Sequence, residues 1–345
     1  MESAVRELPL VGKIPASSLA RLPAGEKPIL LVVSDTEEEF DWSKPHDRNE
    51  TAVTAMRKID RAQRVFDEYS IKPCYVIDYP VASQPDGYEP LQAIHGDGRC
   101  TIGAHVHPWV NPPHDEEVCR RNSFVGNLPS DLEEAKLRVL NEEIARRFGA
   151  PATIYKAGRY GVGPNTSRIL EKLGFDVDLS ICPPFDYSPE AGPDFRDYPT
   201  GPYWFGRDRR MLCAPSTGAL VGYLGGLMRP VYELANWGPF LKLKAPGILL
   251  RLGAVERIHL STEGSTVKEN IRLTRWLHTR GERVFTMSFH SPSVVPGCTP
   301  YVGSEAELTA FLDSFRRYFD YFFGELGGVT MTPLELRDHL AKGTA

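Results

Sequence analysis

Four short stretches carry side chains that could do chemistry together. LVVSDTEEEF holds Asp35 and Glu37, IGAHVHPW holds His105 and His107, YKAGRYG holds Arg159, and FTMSFHSPS holds His290. Each stretch falls at the end of a candidate strand, three of them apolar runs and the fourth Ile154–Ala157. Strand side chains alternate between faces, so His105 and His107 point the same way, and so do Asp35 and Glu37. Two imidazoles and a carboxylate on neighbouring strand ends make a three-donor set for a divalent ion, with a fourth position open to water. Zinc suits such a set, with His105 and His107 as the two imidazoles and the carboxylate drawn from the Asp35–Glu37 face; cobalt, nickel and iron suit the same donors.

Every one of these residues has a plainer reading. An isolated H-x-H is a modest signal, and a run such as Glu37-Glu38-Glu39 is often a solvated loop. Arg159 could be an ion-pair partner, His290 a hydrogen-bonded loop histidine, and Trp109 and Tyr160 core aromatics rather than substrate contacts. What favours the functional reading is position, because in a parallel α/β architecture functional groups gather at the carboxyl ends of strands. His46, His95 and His259 lack that setting and are read as surface or satisfied polar residues. His114, in the loop after the histidine pair, is a reserve ligand.

The elements that must position these groups are legible as alternating patterns. Strands are expected over 29–34, 74–78, 101–106, 154–157, 177–181, 284–289 and 328–331, with 257–260 as an eighth. Helices are expected over 51–69, 131–148, 165–173, 267–280, 305–325 and 333–342. Ser130 and Glu133 make a capping-box pattern, Asn165 is a candidate N-cap, and Gly174 stands where a helix stops. Strand–helix alternation predicts a parallel sheet with crossover helices. Seven or eight such units imply a distorted (β/α)7-type barrel over residues 29–345, preceded by an extension over 1–28. No G-x-G-x-x-G follows the first strand, which argues against a dinucleotide fold.

Residues 183–256, rich in proline and glycine, are read as a long insertion with its own hairpin and helices. Within it, 227–252 mixes apolar residues with Arg229, Lys242, Lys244 and Arg251. An amphipathic cover over the barrel is one reading and a membrane-surface or lipid-linked-glycan contact the other.

The 345 residues are 41% hydrophobic and 25% charged, a globular composition, and the net charge of -5 gives no general basic field for nucleic acid. The first residues lack the pattern of a secretory signal, and the uncharged run 211–228 is too polar for a membrane span. Six scattered cysteines without a C-x-x-C pair suit reduced thiols in the cytoplasm.

The acidic first-strand motif, His-Val-His-Pro-Trp, Ala-Gly-Arg-Tyr-Gly and Phe-His-Ser-Pro-Ser occur in an order that resembles the polysaccharide deacetylase (NodB-homology, carbohydrate esterase family four) superfamily, and within it the WalW-type branch. The resemblance runs from about residue 30 to 335. It implies a metal-dependent hydrolase that removes an acetyl group from an N-acetylated sugar during cell-surface polysaccharide or lipopolysaccharide assembly. By that resemblance Asp35 is the general base, Glu37 and His105 are metal ligands, Arg159 holds the base and His290 is the general acid. Asp35-Thr36-Glu37 replaces the family's adjacent aspartates, and the second histidine stands two residues on instead of four, with Trp109 at the usual place. The alternatives are a metal-independent amidohydrolase of the same fold and a non-catalytic glycan-binding barrel. The expected partner is an N-acetylated sugar or glycan, free or lipid-linked. The expected location is the cytoplasm, with peripheral contact at the inner membrane face as a variant.

Overall fold

The computed structural model describes residues 7–22, 25–208 and 210–342. Its frame is one strongly curved sheet. In chain order the strands are β1 (Glu7–Leu8), β2 (Ile29–Thr36), β3 (Cys74–Ile77), β4 (Thr101–Val106), β5 (Ile154–Ala157), β6 (Val177–Asp178), β7 (Tyr203–Arg207), β8 (Met211–Cys213), β9 (Gly218–Val221), β10 (Glu256–His259), β11 (Val284–His290) and β12 (Val329–Thr330). Their order across the sheet is β1-β7-β8-β6-β5-β4-β3-β2-β11, with β12 beside the start of β2. From β8 to β11 seven neighbouring strands run parallel. Ile29–Val33 is wholly buried, as a strand covered on both faces must be.

The helices are α1 (Asp60–Glu68), α2 (Tyr79–Ser83), α3 (Pro85–Gly96), α4 (Ser130–Phe148), α5 (Thr166–Leu173), α6 (Met228–Asn236), α7 (Gly238–Lys242), α8 (Ala245–Arg251), α9 (Val267–His278), α10 (Glu305–Phe319) and α11 (Pro333–Lys342). The distorted barrel expected from the alternation is therefore borne out, and so is its irregular closure. Among the described residues no strand pairs along the free edge of β11 in full. Instead Thr217 N–H donates to the Thr286 carbonyl, Ser288 N–H to Leu260, and Ser216 N–H to Ile181, so short segments bridge the gap between β11 and the chain after β6.

Several expectations need correction. Residues 256–259 form a strand, but it pairs antiparallel with β9 in a separate two-stranded sheet and is not a barrel strand. The segment 183–256 is not one insertion: β7 and β8 lie inside it and belong to the main sheet, where alternate buried residues such as Tyr203 and Phe205 are needed to fill the core. What stands outside the sheet is the loop before β7 and the stretch from β9 to β10. Likewise β1, within the expected N-terminal extension, adds to the sheet through β7. The helix expected over 51–69 is broken into a 3-10 turn, Thr54–Lys58, and α1; that over 305–325 ends as α10 and continues as a π-turn over Asp320–Glu325. Neither Ser130 nor Asn165 makes a side-chain cap. Ser130 already lies inside α4, while the Glu133 carboxylate is occupied by the Thr166 hydroxyl. Gly149 and Gly174 end α4 and α5 in the left-handed conformation.

Lys136 of α4 fixes the loop that follows β4. Its ammonium is fully buried and donates to the carbonyls of Pro108, Asn111 and Pro113 at 2.6–2.9 Å, and it pairs with Glu116 at 2.9 Å. All six cysteines are free. No helix among the described residues is long and apolar enough to cross a membrane.

Candidate active site

The strand ends meet in a cleft of about 400 Å³ at the carboxyl end of the parallel strands. Register does the first part of the positioning: His290 of β11 lies opposite Asp35 of β2, and His105 of β4 opposite Lys156 of β5. Asp35, Glu37, His105, His107, Arg159, Tyr160 and His290 all line the cleft, so the chain brings together the groups that the sequence singles out.

Three of them converge on one point. His105 Nε2 lies 3.7 Å and His107 Nε2 3.4 Å from the same oxygen, Glu37 Oε2, and the three donor atoms fall within 4.8 Å of one another. All three side chains are buried. His105 Nδ1–H donates to the Lys156 carbonyl at 2.8 Å, and His107 Nδ1 pairs with Glu38 Oε2 at 2.7 Å. A carbonyl can only accept, so in His105 the Nε2 lone pair is left facing Glu37; a carboxylate acceptor does the same for His107. Burial lowers the pKa of both rings, that of His107 to about 4, which keeps them in the neutral ligating form. Burial also pushes the Glu37 carboxyl up to about 7, and its Oε1 has no hydrogen-bond partner. Neutral imidazoles held by their far nitrogens beside an unsatisfied, desolvated carboxyl are the donor set a divalent cation requires. The residues fit such an ion.

Behind His107 lies a buried support. Glu38 accepts from Trp109 Nε1–H at 2.8 Å with one oxygen and serves His107 with the other, while Glu38 N–H donates to Asp78 at 2.7 Å. Burial raises the pKa of Glu38 to about 7, and burial with the neighbouring Glu38 charge raises that of Asp78 well above the usual carboxylate range. Glu38, Asp78 and His107 are close enough to suggest a second ion site, but their oxygens already have donors, which makes this a hydrogen-bonded scaffold. Gly158 completes it: a Cβ there would come 2.3 Å from His107 Cδ2, so only glycine lets β5 approach the ring. Glu39 is turned away and accepts from Ala55 N–H and Thr54.

The second cluster is acid–base in character. Lys156 Nζ donates to both oxygens of Asp35, at 2.6 and 2.7 Å, and is itself 1% exposed. Burial alone would raise the Asp35 pKa, but the Lys156 and His290 cations outweigh it and hold the group down to about 2. His290 Nε2 is 3.8 Å from Asp35, and its Nδ1–H donates to Glu263 at 2.7 Å. Glu263 also accepts from the His290 backbone N–H and from Ser293. Burial opposes charge on this ring, yet Glu263, Glu37 and Asp35 together raise its pKa to about 10, so it is an imidazolium at neutral pH.

This arrangement corrects the role expected for Arg159. Its guanidinium binds Ser123 and Glu190 and lies over the Phe124 ring, with its backbone at φ 54°; the cation on Asp35 is Lys156, three residues earlier. Trp109 lines the cleft too, but it is 2% exposed and sandwiched between His107 and His46, which leaves little of the ring open to a substrate. The accessible aromatics are Trp42 and Tyr301, 37% and 40% exposed, which flank the His290 ring. Tyr160 does line the cleft, above Lys156. His46 and His259, expected to be ordinary, line it too, and burial holds His259 neutral with a pKa near 3. His114 sits by Lys136 and Arg48, outside the cleft.

No family model matches the chain, and no curated protein does. Solved structures do. A Mycobacterium smegmatis protein named as a candidate polysaccharide deacetylase aligns over 95% of this chain and 95% of its own, at 14% identity and a TM-score of 0.52. The chain has the polysaccharide deacetylase fold. A GH57-type branching enzyme from the archaeon Pyrococcus horikoshii aligns over 91% of this chain and 70% of its own, at 8% identity and a TM-score of 0.50. The Xyl-CE4 domain of a multidomain xylanase from the hindgut metagenome of Trinervitermes trinervoides aligns over 92% of each chain, at 8% identity and a TM-score of 0.44. One barrel thus carries different reactions, and the choice between them rests on the site.

Proposed function

We propose that the protein is a metal-dependent hydrolase that removes an acetyl group from an N-acetylated sugar or glycan. The observation that carries this reading is the pairing of a three-donor pocket, Glu37, His105 and His107, with an ionised Asp35 and a protonated His290 at the same strand ends. A divalent ion, zinc by donor type, would polarise the acyl carbonyl and acidify a water molecule when bound.

The chain's own groups supply the proton transfers. Asp35 is kept ionised and aimed by Lys156, and it takes the proton of the attacking water. His290 carries a proton on Nε2, facing the cleft, and gives it to the nitrogen as the C–N bond breaks; Glu263 holds the ring so that this nitrogen is the one presented. Acetate and a free amine result. Trp42 and Tyr301 offer flat apolar faces at the cleft mouth, the surfaces on which sugar rings stack. The motif resemblance supports the acetylated sugar as substrate and surface-glycan assembly as its setting.

The test is acetate release from N-acetylated oligosaccharides by zinc-loaded protein, alongside metal content by mass spectrometry. Near-stoichiometric metal, lost in His105→Ala, is expected. Asp35→Asn and His290→Gln should each lose roughly 10²–10⁴ in rate with the fold intact. Full activity in Asp35→Asn, or no metal after reconstitution, would overturn the reading.

A further inference from the structure

The stretch between β9 and β10 presents a surface that a water-facing helix cluster would not keep. Among the described residues eleven large hydrophobic side chains are exposed, and nine of them fall within 223–252. Leu227, Trp237, Leu243 and Leu252 are each at least 63% exposed. Ala235 is the one buried residue of α6, and α7 has none. Apolar patches of this extent on a soluble protein mark an interaction surface.

Charge narrows the partner. The same stretch holds Arg229, Lys242, Lys244 and Arg251 against Glu233 alone, in a chain whose net charge is -5. Arg229 is committed to Asp197 and Glu233. Lys242, Lys244 and Arg251 are exposed and make no ion pair among the described residues. Lys242 and Lys244 alternate in sequence with the exposed Leu241 and Leu243, so apolar and cationic groups adjoin at the exposed end of α7. A second copy docked through this face by a two-fold axis would set these cations against each other. A bilayer with anionic headgroups meets both features: leucine and tryptophan enter the interface, and lysine stems lie along it with their ammonium groups among the phosphates.

The patch is also joined to the cleft. Tyr232 of α6 lies 5.6 Å from the Arg257 guanidinium, which stacks 4.2 Å over Phe185, and Phe185 lines the cleft. We propose that α6–α8 dock the protein peripherally on an anionic membrane surface, which places the cleft beside substrates held there. The docking stands independently of the reaction assigned to the cleft.

The experiment is flotation of the full-length protein with phosphatidylcholine vesicles, with and without a third of phosphatidylglycerol. Wild type should float with the anionic vesicles, less with phosphatidylcholine alone, and less in high salt. Lys242→Glu/Lys244→Glu should weaken partitioning by well over tenfold, at roughly fivefold for each cation lost and more for reversal. Trp237→Ser/Leu241→Ser should weaken it too, and at every salt concentration. All four positions are exposed, so unchanged thermal unfolding is the check that the fold survives. No flotation of wild type with anionic vesicles at low salt would overturn the proposal. So would flotation indifferent to both variants, or a wild-type dimer that Trp237→Ser/Leu241→Ser converts to monomer without any vesicle binding.

Discussion

His105, His107 and His290 each have Nδ1 committed to a fixed partner, and that commitment decides what the other ring nitrogen can do. Glu38→Gln tests this with almost no change of shape. The carboxylate accepts from Trp109 Nε1–H and from His107 at once; an amide has one acceptor end. If the oxygen serves Trp109, the NH2 end faces His107 Nδ1 and moves the ring proton to Nε2, where it blocks ligation. Zinc affinity measured by chelator competition should fall roughly 10–100-fold, while Glu38→Asp should lose less. Equal affinity in Glu38→Gln would mean that the tautomer is set elsewhere. The residues that made the pocket legible in the sequence obey a local rule, the two-residue alternation of Asp35 with Glu37 and His105 with His107. Those that escaped act across the barrel. Lys156 sits beside a more conspicuous arginine, and nothing local tells which cation reaches Asp35. Glu263 lies in an unpatterned stretch after a strand of another sheet. Glu38 reads as one of three glutamates, and only burial separates it from the capping Glu39.

Elements hold these side chains through buried charges that sequence patterns do not announce. Lys136 ties α4 to the loop carrying Trp109: it donates to three turning carbonyls and pairs with Glu116, which Arg48 approaches from 3.6 Å. Lys136→Met keeps the apolar stem and strands those acceptors. The expected loss is about 3–5 kcal/mol in urea unfolding, the usual result of removing one member of a buried pair; a loss near zero would show the loop to be held by packing. On β6, burial raises the Asp178 pKa from 3.8 to about 7. Between those values the folded protein keeps a proton that the unfolded chain has released, so this group makes stability fall as pH rises from about 4 to about 7, with no further change above. In Asp178→Asn the amide copies the protonated carboxyl: its oxygen accepts from Ser180 N–H and its NH2 meets Ser180 Oγ. The variant should gain on wild type as pH rises through that window, by paired denaturation curves. A parallel pH dependence would sink the assignment. The strands of the barrel were readable because β4 and β5 are short apolar runs with clear ends. β7 and β8 were not, because proline and glycine surround them, and the pair α2–α3 is hidden by Pro80, Pro85 and Pro90.

At the scale of the whole molecule, the three donors come from two chain segments far apart in sequence, the end of β2 and the end of β4, separated in the sheet by β3. An ion shared by them would bind the folded chain and not the unfolded one, so its binding energy would appear as stability. The coupling can be read without any turnover. At a free zinc concentration about a hundredfold above its dissociation constant, the gain is about 2.7 kcal/mol. For a chain of 345 residues that corresponds to a rise in Tm of several degrees. Chelator-treated wild type should therefore melt several degrees lower than zinc-loaded protein and recover on adding zinc back. His105→Ala should melt at one temperature in both conditions, because its pocket keeps a single imidazole and one carboxylate. Asp35→Asn gives the control that separates binding from catalysis: Asp35 is not among the three converging donors, so its zinc-dependent shift should match wild type even where acetate release is lost. A zinc response that survives in His105→Ala would place the ion elsewhere on the chain and remove the physical basis for reading Glu37, His105 and His107 as one centre.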